Sequence, residues 1–146
     1  MNVKNDNISK LQFDEFLRAI GISKNDTFSL LLGAGCSINS DIPSAEDCIW
    51  EWKRDIYKTN NPSVLGWIDN YKNKKSQTII QNWLDNQGIY PEKNTKEEYS
   101  FYAYKCYPID DHRRQYFEKI CSGKTPSIGY KTIPILAKSG MLDSVW

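Results

Sequence analysis

Apolar residues along this chain follow helical spacing almost everywhere except in one short continuous run near the start. Leu11, Phe13, Phe16, Leu17 and Ile20 recur at three to four residue intervals before Gly21, which predicts a leading helix over 9–20 closed by a glycine cap. Past the turn residues Asn25 and Asp26 the pattern becomes continuous: residues 27–32 read Thr-Phe-Ser-Leu-Leu-Leu, the length and apolarity of a strand buried on both faces. Helical spacing then returns. Ser44 with Asp47 three residues on predicts a capped helix whose stripe is Cys48, Ile49, Trp52 and Ile56, up to Tyr57. From Pro62 a second helical stretch through Val64, Leu65, Ile68 and Tyr71 extends past Lys72, Asn73, Lys74 and Lys75 into 78–84. Gly88 and Pro91 break that pattern; Thr95 to Glu98 open a helix carrying Tyr99, Phe101, Tyr102 and Tyr104. Pro108 to Asp111 then start a helix through Arg113, Phe117 and Ile120, closed by Ser122 and Gly123.

The continuous run feeds the stretch with the most chemistry in it. Residues 30–43 read Leu-Leu-Leu-Gly-Ala-Gly-Cys-Ser-Ile-Asn-Ser-Asp-Ile-Pro, an apolar strand running into a Gly-x-Gly turn and two serines. Gly33 and Gly35 permit a bend without side chains, which lets peptide N–H groups approach a phosphate, and Ser37 and Ser40 add hydroxyl donors. Ile38 stands where the dehydrogenase fingerprint Gly-x-Gly-x-x-Gly wants its third glycine. On Gly33 and Gly35 alone, a plain strand-to-helix turn in an α/β domain explains the residues equally well.

The longer string Gly33-Ala34-Gly35-x-Ser37-x-x-Ser40-x-Ile42-Pro43 resembles the opening NAD-binding motif of the sirtuin (SIR2) family, Gly-Ala-Gly-x-Ser-x-x-Ser-Gly-Ile-Pro. The far end of the chain is similar as well. Thr125, Pro126, Ser127, Ile128, Gly129 and Tyr130 lead through Ile133, Ile135 and Leu136 to Gly140 and a strand-like ending. The resemblance implies an α/β fold: the N-terminal part of a Rossmann-like parallel sheet with a large helical insertion. Its parts would be the leading helix at 9–20, the strand and NAD loop at 27–43, the insertion at about 44–122, and a late helix and strand at 126–146.

Departures from the family pattern steer the functional reading. The deacylases continue Gly-Ile-Pro-Asp-Phe-Arg, whereas Pro43 is followed here by Ser44, Ala45 and Glu46, so the Phe and Arg that cover the cofactor have no counterpart. The pattern looks more like the SIR2-like domains of bacterial antiphage defence proteins, which cleave NAD to nicotinamide and an ADP-ribose product. Tyr130 stands for the family's late-helix histidine, read as structural. Asp41 replaces a glycine, and its carboxylate would repel a pyrophosphate unless it points away, pairs with a lysine or contacts a ribose hydroxyl.

On this resemblance, Gly33, Ala34 and Gly35 would present N–H groups to the pyrophosphate and Ser37 would bond a phosphate oxygen. Ile42 and Pro43 would shape the wall near the nicotinamide ribose, while Ser40 either joins them or caps the loop. The family's catalytic Asn and His would lie beyond Trp146. Three readings are open: an NAD glycohydrolase acting as the effector of an abortive-infection system, an NAD-dependent protein deacylase, and a non-catalytic NAD or ADP-ribose sensor. The first implies NAD as substrate, homo-oligomers and a fused or separate sensor protein; a polar start, Met-Asn-Val-Lys-Asn-Asp-Asn, without a signal-peptide core points to a cytoplasmic location.

Composition narrows the partners. Nineteen basic residues against 18 acidic ones leave a net charge of +1, which supplies no field for nucleic acid, and no apolar run approaches the ~20 residues of a membrane span. Lys72 to Lys75 read as a solvated face. Cys36, Cys48, Cys106 and Cys121 form no Cys-x-x-Cys pair and read as buried or idle thiols in a reducing compartment; a zinc ribbon is not expected. Aromatic residues reach 13%, concentrated between Trp50 and Tyr116, where they would suit a nucleotide pocket although each one singly reads first as packing. Gly123-Lys124-Thr125 ends like a phosphate-binding Walker loop, but its first glycine would fall at Glu118 inside a helix. His112 sits among Asp110, Asp111, Arg113 and Arg114 and reads as a surface histidine.

Overall fold

A computed structural model describes residues 11–22, 27–64 and 66–146. They fall into two units, Leu32–Lys131 and the described residues up to Leu31 together with Thr132–Trp146. The start of the expected leading helix at 9–10, the turn at Asn25 and Asp26, and Leu65 lie outside the described residues.

The larger unit is helical. Helix α2 (Ala45–Asn60) begins with the capping box expected at Ser44: the Asp47 N–H donates to Ser44 Oγ at 3.1 Å and the Ser44 N–H to Asp47 Oδ2 at 3.2 Å. Its 3.6 period turns Cys48, Trp52 and Ile56 inward, together with Trp50, Lys53 and Tyr57. Helix α3 (Lys74–Gln87) and helix α4 (Glu98–Cys106) pack against α2, and α5 (Asp110–Cys121) adds Tyr116 to the same core. The expected continuous helix from Pro62 into α3 is broken. Gly66–Asp69 forms a short 3-10 turn, and the Asn73 side chain accepts the Lys75 N–H at 2.8 Å, so α3 starts afresh there. Lys72 to Lys75 are exposed, as a solvated face.

The aromatic cluster is this core. Trp52, fully buried, meets Tyr99 with ring centroids 5.2 Å apart and Tyr116 at 5.6 Å, and Tyr90 stacks on Tyr102 at 6.0 Å. These rings are consumed in packing four helices together.

The smaller unit holds helix α1 (Phe13–Ile22), strand β1 (Phe28–Leu30) and strand β2 (Leu142–Val145), with the end of helix α6 (Ile128–Lys138). β1 and β2 run parallel, pairing Phe28 with Leu142, Ser29 with Ser144 and Leu30 with Val145. The Ser29 and Ser144 hydroxyls meet at 2.8 Å across the pair, and the Trp146 N–H extends the ladder to the Leu30 carbonyl at 2.8 Å. The architecture is thus mostly helical with a small parallel sheet, compatible with an α/β class.

Three expectations change in this unit. The strand is shorter than 27–32 and only half-buried, with Leu31 81% exposed, because burial on both faces needs cover that two strands do not provide. Helix α1 continues through Gly21 to Ile22, so the glycine lies inside the helix and does not cap it. Nor does α1 bury any residue: Phe13 is 75% exposed, so among the described residues no sheet packs against its apolar face.

Candidate functional site

The loop at 33–43 lies in the larger unit and folds as a 3-10 helix, Ala34–Ser40, entered from extended Gly33. It ends in a Schellman arrangement. The Asp41 N–H donates to the Ile38 carbonyl at 3.0 Å and the Ile42 N–H reaches back to the Ser37 carbonyl at 3.4 Å. That closure needs a left-handed residue, and Asp41 supplies it at φ 58° and ψ 29°. Aspartate is among the few residues other than glycine that tolerate this conformation. Asp41 is exposed, and it is absent from the lining of the cleft described next.

Gly33 and Gly35 are not demanded by backbone conformation, since Gly33 has φ −80° and neither glycine adopts a positive φ. A Cβ built on Gly33 meets no heavy atom within 4 Å, and one on Gly35 meets only Ile38 Cδ1 at 4.0 Å. The space beside both positions is therefore open, which is the condition for a ligand to come close to this backbone.

Beside the loop lies a cleft of about 440 Å³, lined by Ser37, Ser40 and Ile42 from the loop and by Cys121, Lys124, Thr125, Pro126, Tyr130 and Lys131 from the segment before and into α6. Its volume lies within the range of small-molecule sites. Of the residues singled out in the motif, Ser37, Ser40 and Ile42 reach the cleft, whereas Gly33, Ala34, Gly35 and Pro43 do not line it.

The two serines have separate partners. Ser40, 5% exposed, accepts the Ser127 N–H on its Oγ at 2.9 Å and so ties the loop to the residue from which α6 starts. Ser37 Oγ stands 3.0 Å from Tyr130 Oη. In such a pair one hydroxyl donates to the other, which leaves one proton to offer elsewhere. Tyr130 is thus a wall residue in contact with the loop, where the sequence assigned it only a structural place.

Sequence reading also passed over Lys124, Thr125, Lys131 and Cys121. Glu118 lies inside α5, so no Walker loop forms, yet Lys124 and Thr125 reach the cleft by another route. The only local signal was a lysine and a threonine after a glycine with φ 71°, a turn that sends the chain back across the loop.

Thiols divide by burial. All four are free: Cys36 and Cys121 are exposed, Cys106 is half-buried and Cys48 is buried. Burial pushes the Cys106 thiol up to about 12, and that of Cys48 upward as well.

A second, smaller cavity of about 230 Å³ opens in the helical unit beside Trp50, Lys53, Lys93 and Glu98. Two of its charges, Lys53 and Glu98, are already paired with each other. Lys53 Nζ donates to Gln81 Oε1 at 2.8 Å and to Glu98 Oε1, and Glu98 Oε2 accepts the Asn94 N–H at 2.7 Å. Burial pushes the Lys53 ammonium below its ordinary value, against the upward pull of Glu98. This network reads as a structural clasp between α2, α3 and α4.

No protein-family model matches the chain, and no curated protein matches it significantly.

Proposed function

We propose that this chain is the NAD-binding part of a SIR2-like NAD glycohydrolase, the effector of a bacterial antiphage system, with NAD as its substrate. One observation carries the reading. The motif loop meets the 124–131 segment in a cleft whose lining has two lysines, four hydroxyl side chains and no carboxylate. That donor set suits a dinucleotide diphosphate, and the open space beside Gly33 and Gly35 suits its approach.

In this reading, Ser37 and Tyr130 orient a phosphate through the one hydroxyl proton their pair leaves over, and Ile42 supplies apolar wall beside the ribose. Ser40 keeps the loop on the start of α6 by accepting the Ser127 N–H, and its own hydroxyl proton stays on the cleft lining. Loss of nicotinamide leaves an oxocarbenium-like ribose, and a base is then needed to activate water. No His, Asp or Glu lines the cleft, so these nine residues bind and orient rather than transfer protons. The same observation favours a second reading, a nucleotide sensor that binds NAD or ADP-ribose without turnover.

Nicotinamide release from NAD, with and without an acetylated peptide, separates the readings. Release without peptide is expected from the hydrolase, and Gly35→Asp should abolish it by placing a charged side chain in the open space beside the loop. Retained activity in that variant would sink the assignment. Binding without release supports the sensor.

A further inference from the structure

We propose that Lys124 and Lys131 are the diphosphate-holding pair of the cleft, so that charge recognition comes from the 124–131 segment and not from the glycine motif. The proposal rests on the nucleotide reading for its ligand, but its residues lie outside anything the motif marks. Both lysines line the cleft with Ser37, Thr125 and Tyr130. Both are exposed, and among the described residues neither engages an acidic side chain.

Several basic side chains elsewhere have carboxylate partners, Lys53 with Glu98, Lys58 with Asp69, Lys72 with Asp47 at 3.2 Å and Arg54 with Asp55 at 2.7 Å, whereas the lining of the cleft offers its two lysines none. In a chain of net charge +1, a concavity carrying two unmatched ammonium groups and no carboxylate is a local concentration of positive charge. Lysine acts on phosphate as a compact point charge on a flexible stem, and two lysines lining one cleft match the two negative charges of a diphosphate. The hydroxyl proton left by the Ser37 and Tyr130 pair, together with Thr125, completes a donor set of the same kind. The ligand class is therefore a nucleoside diphosphate derivative, bound through its two phosphates.

Cys121, exposed and on the same wall, gives a direct reporter. Binding of ADP-ribose and of inorganic pyrophosphate to the chain is measured by calorimetry, and alkylation of Cys121 by iodoacetamide is followed at the peptide level. Both ligands are expected to protect Cys121. Lys124→Gln and Lys131→Gln should each weaken ADP-ribose binding about tenfold, the loss of one charge-assisted contact. Binding by the parent chain should weaken with added salt. The double variant should lose protection by pyrophosphate, and the double Lys→Arg variant should keep it, which separates loss of charge from loss of fold. If the double Gln variant binds ADP-ribose as tightly as the parent, the lysine assignment is overturned while the nucleotide reading stands. If pyrophosphate protects Cys121 in a lysine-dependent way but neither NAD nor ADP-ribose binds, the lysine pair stands and the nucleotide reading falls. If no phosphate compound binds the parent chain, both fall.

Discussion

The hydroxyl of Ser37 stands 3.0 Å from that of Tyr130, 93 residues further along the chain, while Ser40, three residues after Ser37, accepts the backbone N–H of Ser127. Neighbouring serines of one motif therefore do different work, and substitution should separate them. Ser40→Ala removes a buried acceptor and leaves the Ser127 N–H without its partner, which should cost about 1–3 kcal/mol of stability in urea unfolding. Ser37→Ala and Tyr130→Phe, at a partly buried pair, should each cost no more than about 1 kcal/mol, and the double variant should lose less than their sum. A Ser37→Ala loss as large as that of Ser40→Ala would contradict this division.

Asp41 closes the loop in the left-handed region, where most side chains are strained by about 1–2 kcal/mol. Asp41→Val should therefore destabilise the chain by about that amount. Asp41→Gly should leave stability within about 0.5 kcal/mol, since relief of strain is offset by glycine's greater freedom in the unfolded chain. Because the carboxylate does not line the cleft, neither change should alter ligand affinity strongly where the fold persists. Chemical denaturation and ADP-ribose titration of the two variants check both statements.

Lys53 is 1% exposed and held by Glu98 and Gln81 over the rings of Trp50 and Tyr102. Lys53→Met leaves a buried carboxylate without its cation and should cost about 3–5 kcal/mol. Adding Glu98→Met removes the stranded charge, so the double variant should recover a good part of that loss. Equal destabilisation of the single and double variants in thermal unfolding would show that the clasp acts through packing and not through its charges.

Asp47 carries a pH dependence of definite sign. Partial burial pushes its carboxyl upward, but the Ser44 bonds and Lys72 outweigh this and hold it below the ordinary aspartate value. The stabilisation is complete above the unfolded-state pKa, near 4, and is lost as pH falls through the lower folded-state value. Urea unfolding of the parent should weaken from about pH 5 downward, and the advantage over Asp47→Asn should shrink across the same interval. An advantage that is constant from pH 6 to pH 3 would refute the assignment.

How much of this was legible beforehand follows the range of the interactions involved. The Ser44 and Asp47 capping box, the inward stripe of Cys48, Trp52 and Ile56, and the helices at 98–106 and 110–121 could be read directly, because a cap bond spans three residues and a helix face repeats every 3.6. The break before α3 was also local, written in Asn73, but a continuing apolar spacing masked it. The Gly-x-Gly string marked the loop without saying which of its residues meet a cavity.

Tertiary structure alone brought Tyr130 to Ser37, gave Ser40 to Ser127 and placed Lys124 and Lys131 in the cleft that Ser37 lines, since contacts across 87 to 93 residues leave no trace in spacing or periodicity. It also decided the burial of the short strand and of α1, because how much of an apolar face is covered depends on what other elements pack there, and no local pattern carries that information.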